Sequence, residues 1–173
     1  MKKSMALLLV SIVGTILMGF SGCTKTVTQP VYYPPVTQTV THTPTKTPTY
    51  VPQSSNLVNG TVTANAGSYY YQAFTVDTSY MTNPTVVGSF TASGGSGNDV
   101  IALILDAMSF TNWVNGHQVN TYYNSGQVTV ANINAPISTS GTYYLVFSNT
   151  FSIISTKHVA ATVNLTWSQL EYQ

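Results

Sequence analysis

The sequence predicts an all-β fold, an antiparallel β-sandwich of jelly-roll type with about seven or eight strands, carried on residues 57–173. Three observations predict it. Apolar residues recur with period two in short runs between residues 69 and 167, clusters of Gly, Ser and Asn separate the runs, and a helical pattern is confined to Ala107–Val114 at most. A stretch of this size suits one core.

Taken in chain order, the first element is a leader, residues 1–22. Lys2 and Lys3 form a positive n-region, Met5 to Phe20 an uncharged apolar run, and Ser21-Gly22 a small-residue site before Cys23. The stretch around Cys23 resembles the lipobox of bacterial lipoproteins, with Phe20 where that family has leucine. The resemblance implies that Cys23 is acylated, becomes the mature N-terminus and tethers the chain to a membrane from outside. An uncleaved signal anchor, since Ser4 to Cys23 carries no charge and is long enough to span hydrocarbon as a helix, and ordinary secretion are the alternatives. All three are extracytoplasmic. Cys23 is the only cysteine, so no intrachain disulfide is available and the fold rests on its core.

Residues 23–56 read as a Thr/Pro-rich linker. Prolines at 30, 34, 35, 44, 48 and 52 remove donors and bias their predecessors to extended geometry, which excludes helix and central strand. In polyproline II geometry this stretch spans on the order of 100 Å. Its composition is also that of an O-glycosylated stalk.

The strands follow. Tyr69–Val76 places Tyr70, Phe74 and Val76 on one face, and Val86, Gly88, Phe90 and Ala92 alternate with Thr85, Val87, Ser89 and Thr91. Val100–Leu105 is apolar on both faces, so it reads as a central strand covered on both sides. Val128–Ile133, Tyr143–Phe147 and Val159–Trp167 complete the set, the last with Val159, Ala161, Val163, Leu165 and Trp167 inward. Ser93–Asn98, Asn124-Ser125-Gly126 and Ser138–Gly141 carry turn chemistry.

The stretch Ser140-Gly141-Thr142-Tyr143-Tyr144-Leu145-Val146-Phe147-Ser148-Asn149-Thr150-Phe151-Ser152, followed by Lys157-His158-Val159, resembles the C-terminal signature of the GOLD domain of the emp24/p24 family. Ala66 through Val76 is similar to the opening of bacterial prepeptidase C-terminal β-sandwiches. The resemblance implies a non-enzymatic, protein-binding β-sandwich. The residues carry their own reading as well: Asn149 can hold the turn backbone with its side chain, and Phe151 can fold back over the sandwich edge.

Charge narrows the function. Only 5% of the residues are charged, arginine is absent, and loss of Lys2 and Lys3 with the leader turns a net charge of +1 into −1. Nucleic acid is excluded as a partner, because phosphate contacts need several Lys or Arg. Beyond Leu57 the titratable groups of catalytic type are Asp77, Asp99, Asp106, Glu171, His117 and His158. No nucleophile elbow and no metal-ligand spacing arises from them, so neither an enzyme nor a cofactor is expected. Asp99 and Asp106 flank the central strand and would be the first place to seek a calcium site. Asn59-Gly60-Thr61 and Asn164-Leu165-Thr166 fit the glycosylation sequon, a chance match behind a bacterial-type leader.

One region offers a binding surface. Phe110, Trp113, Tyr122 and Tyr123, with Asn112, His117 and Asn124 nearby, bring aromatic faces next to amides, which suits a sugar or a peptide. The competing reading makes Phe110 and Trp113 a plug for one end of the sandwich. The sequence thus predicts a lipid-anchored, non-catalytic surface domain for protein contact or an envelope role. The alternative is a carbohydrate-binding surface module.

Overall fold

A computed structural model of the chain describes residues 46–95 and 97–172. The leader, Cys23 and the linker as far as residue 45 lie outside the described residues. Eight strands and one helix follow in order: β1 Pro48–Ala64, β2 Tyr69–Val76, β3 Thr82–Ser93, β4 Val100–Asp106, α1 Ala107–Val114, β5 Tyr123–Val128, β6 Val130–Pro136, β7 Gly141–Ser148 and β8 Lys157–Tyr172.

The strands form two antiparallel sheets of four, ordered β1-β8-β3-β6 and β2-β7-β4-β5. Successive strands change sheet at every connection except β4 to β5, where the chain stays in one sheet and inserts α1. This interleaving of two sheets is the jelly roll, as the sequence predicts.

Period-two patterning builds the core. In β8, Val159, Ala161, Val163 and Leu165 are buried while Ala160 and Thr162 are exposed. They meet Phe74, Val76, Val100, Ala102, Ile104, Leu145 and Phe147 of the facing sheet, with Phe90 edge-on to Phe147 at 5.3 Å. Burying each such side chain contributes about 2 kcal/mol. Gly88 lies in β3 between β6 and β8; a Cβ there would press on the Thr162 carbonyl oxygen and sit 2.7 Å from Val163 Cα. The strands can close only because that position has no side chain.

Two boundaries differ from expectation. Strand β1 begins at Pro48, ahead of the expected boundary at Leu57, and Pro48–Asn56 pairs with Asn164–Tyr172 of β8. β1 is an edge strand, and on its open side a proline costs no ladder bond. The expected strand Val128–Ile133 is broken at Thr129, where the chain leaves the β4 sheet for the β3 sheet. Asn124-Ser125-Gly126 is a bulge inside β5 rather than a turn: Gly126 takes φ +64° and donates to Asn124 Oδ1 at 2.8 Å. Ser125 Oγ meanwhile accepts the Ala102 N–H at 2.8 Å, replacing a missing ladder carbonyl.

Candidate functional site

β4 and β7 are apolar on both faces, so the outer face of their sheet needs a second cover. Helix α1 supplies it. Asp106 starts the helix by accepting the Ser109 N–H at 2.7 Å, and Gly116, at φ +81°, lets the chain turn away after Asn115. Phe110 and Trp113, three residues apart, share one helix face. They pack on Leu103, Leu105 and Val146, together with Tyr69 and Tyr144. The Phe110 ring stacks on Tyr144 at 4.0 Å and 6° from parallel, and Tyr69 meets Trp113 edge-on at 5.0 Å. These aromatics form an outer satellite cluster on the sheet face and do not plug an end of the sandwich.

The other two candidates go elsewhere. Tyr122 packs edge-on against Tyr143 at 5.2 Å, and Tyr123 packs on the inter-sheet core with its hydroxyl donating to the Asn132 carbonyl at 2.8 Å. Burial pushes the phenols of Tyr123 and Tyr143 above the usual tyrosine range. Of the four aromatics singled out in the sequence, Phe110 and Trp113 therefore belong together, while Tyr123 packs on the core and Tyr122 leans on Tyr143 and stays exposed.

Around Trp113 lie two adjoining hollows that share Trp113, His117 and Thr150. One, of about 350 Å³, is walled by Tyr69, Val114 and Gly116; the other, of about 440 Å³, by Ile101, Leu103, Val119, Gln118, Thr121 and Asn124. Of these, Tyr69 and Thr150 were not sequence candidates. The signal for Tyr69 was present as two-faced aromatic patterning in Tyr69-Tyr70-Tyr71 and Tyr143-Tyr144, which demands an outer cover; Thr150, in the loop after β7, carried none.

The carboxylates stand apart from this groove. Asp77 accepts the Ser79 N–H at 2.9 Å, and its hydrogen bonds with Ser79 hold its carboxyl below the usual range. Asp99 accepts from Gln127 Nε2 at 2.6 Å and from Lys157 Nζ at 3.2 Å; the Gln127 bond foremost, then Lys157, lowers its carboxyl too. Asp106 caps α1. Asp99 precedes β4 and Asp106 ends it, so the length of the strand holds the two carboxylates apart. Among the described residues no three His, Cys, Asp or Glu side chains come together as a metal set. Glu171 faces Gln53 at 3.5 Å and His158 faces Thr63 at 3.3 Å, both across the β1–β8 pair.

A second feature sits at the far end of the sandwich, where Ala64 pairs with Lys157, opposite the end where the chain enters at Pro48. Buried Asn149 gathers the loops there: its Nδ2 lies 3.1 Å from the Ala64 and Asn65 carbonyls and 2.8 Å from that of Ser155. This is the turn-holding role expected of it. Phe151 does not fold back over the edge and stays 36% exposed, and beyond it Ile153 and Ile154 stand 91% and 89% exposed. The chain matches no protein-family model and no curated protein sequence.

Proposed function

We propose that this protein is a lipid-anchored, non-catalytic protein of the cell envelope, held by Cys23 and displaying its jelly roll on the Thr/Pro-rich linker for contact with another envelope protein. The observation that carries the contact reading is the tip of the β7–β8 loop. Adjacent isoleucines this exposed cost solubility, and they project from the end of the domain farthest from the linker. The low charge of the chain suits a surface that approaches other surfaces without steering or repulsion.

The experiment has two arms. Intact-mass analysis of the mature protein is expected to find a diacylglycerol-type adduct on Cys23; an unmodified thiol there rejects the anchor. Cross-linking in intact cells is expected to yield a discrete adduct that disappears in the Ile153→Ser/Ile154→Ser double variant. An adduct pattern unchanged by that variant rejects the tip as the contact.

A further inference from the structure

We propose that the groove divided by Trp113 is a binding site for an uncharged oligosaccharide, a function beyond the protein contact assigned to the far tip. The indole is fixed from below: Tyr69 lies edge-on to it at 5.0 Å and Phe110 at 6.3 Å, inclined by 28°. It stands between two hollows of about 350 and 440 Å³, each within the size range of small-ligand sites. Two neighbouring sugar units can therefore lie on either side of one aromatic wall. A pyranose offers a face of C–H groups to an indole and an equator of hydroxyls to amides, and the groove supplies both kinds of group.

The rim decides the ligand class. His117, Gln118, Thr121 and Asn124 surround an apolar floor, and neither hollow is lined by Lys, Arg, Asp or Glu. A carboxylated or sulfated glycan would have to lose hydration there without meeting a counter-charge. Hydroxyls can replace their lost water bonds, because the His117, Gln118 and Thr121 side chains make no hydrogen bond to the rest of the protein among the described residues. The frame is held in place: the His117 N–H donates to the Asn112 carbonyl and the Gly116 N–H to the Trp113 carbonyl, both at 3.0 Å, while the Thr150 hydroxyl lies 3.0 Å from Ser148 Oγ. A groove with its backbone fixed and the His117, Gln118 and Thr121 side chains unspent is organised for binding.

The test uses the full chain and tryptophan emission. The protein has two tryptophans, Trp113 in the groove and Trp167 in β8, so an emission change that vanishes in Trp113→Phe reports Trp113. The probes are the neutral hexasaccharides of β-1,4-glucose, α-1,4-glucose, β-1,4-xylose and β-1,4-N-acetylglucosamine, with oligogalacturonate as the charged control. At least one neutral probe is expected to give a saturable change below ~10 mM, weakened roughly tenfold or more in Gln118→Ala and His117→Ala. Trp113→Phe is expected to keep the thermal transition of the parent yet lose affinity by calorimetry. No saturation by any neutral probe, equal binding of oligogalacturonate, or affinity untouched by these variants overturns the proposal. The Ile153→Ser/Ile154→Ser variant is expected to bind the sugar as the parent does, which separates this site from the tip.

Discussion

Lys157 Nζ, at the first position of β8 and only 1% exposed as a residue, lies 3.2 Å from Oδ1 of Asp99 in the connection that leads into β4. The pair ties one sheet to the other at the far mouth of the sandwich. It also explains how a domain with so little charge places one of its few cations inside: the carboxylate that meets the ammonium is itself held by Gln127. The charge is there to fix loop geometry, and the energy follows from burial on the lysine side.

Replacing Asp99 by Asn removes the anionic partner of a buried ammonium and leaves the lysine to its remaining contacts. Loss of one member of a buried pair costs about 3 kcal/mol or more. Urea unfolding of Asp99→Asn is expected to move to lower midpoint by that amount with the slope unchanged. A shift under ~1 kcal/mol means that water screens the pair as it does surface ion pairs.

Acid titration gives an independent reading of the same group. The folded state holds the Asp99 and Asp77 carboxyls below their ordinary values, so the unfolded chain binds protons first as pH falls. Their contribution is therefore complete above about pH 4 to 5 and is lost as pH drops through the folded values. Thermal unfolding is expected to be nearly flat from pH 7 to ~5 and to fall below ~4, more shallowly in Asp99→Asn. A melting temperature that rises on acidification contradicts the assignment.

Asn149→Ala removes the amide nitrogen that gathers the Ala64, Asn65 and Ser155 carbonyls and leaves those groups without it. A buried acceptor stripped of its donor costs about 1 to 3 kcal/mol, so a loss near ~3 kcal/mol is expected by chemical denaturation. Hydrogen exchange at Gly67, whose N–H donates to the Ser152 carbonyl at 2.7 Å, is expected to accelerate with it. An Asn149→Ala protein as stable as its parent shows that these loops are held by something else.

Gly88→Ala is expected to unfold the domain or weaken it severely, because β3 and β8 would have to separate to admit the methyl group. Gly116→Ala, with open space around it and only a left-handed backbone to strain, is expected to cost roughly 1 kcal/mol. Comparing the two melting temperatures separates close approach of strands from conformational preference. Equal losses would mean that the strand ladder bends to accept a Cβ at residue 88.

The sheet core was legible because its cause is local: alternation in β8 and in Thr85–Ala92 places each side chain without reference to distant sequence. The bounds of α1 were legible for the same reason. Pro48 and Pro52 misled because a proline is a breaker or a harmless edge residue according to which neighbours the strand has, and the order β1-β8-β3-β6 is not written in β1. Asn124-Ser125-Gly126 misled because a bulge and a turn use the same residues; only the Ser125 bond to Ala102 N distinguishes them, and it joins strands 23 residues apart. Half of the groove was legible for a similar reason. Phe110 and Trp113 meet through helical spacing, whereas Tyr69, Tyr144 and Thr150 reach them through pairings that span the whole jelly roll.

The long antiparallel pairing of β1 with β8 also fixes how the domain bears load. Its ladder bonds run perpendicular to the strands. When Pro48 is pulled while the far tip is held, β1 is drawn along its own axis and the bonds of the ladder are strained together. When Pro48 and Tyr172 are pulled apart, from the shared end, the same bonds open in turn like a zip. A strand that runs the full length of the sheet from Pro48 to Ala64 thus makes the domain a stiff link under tension along the strands, and a weak one under peel.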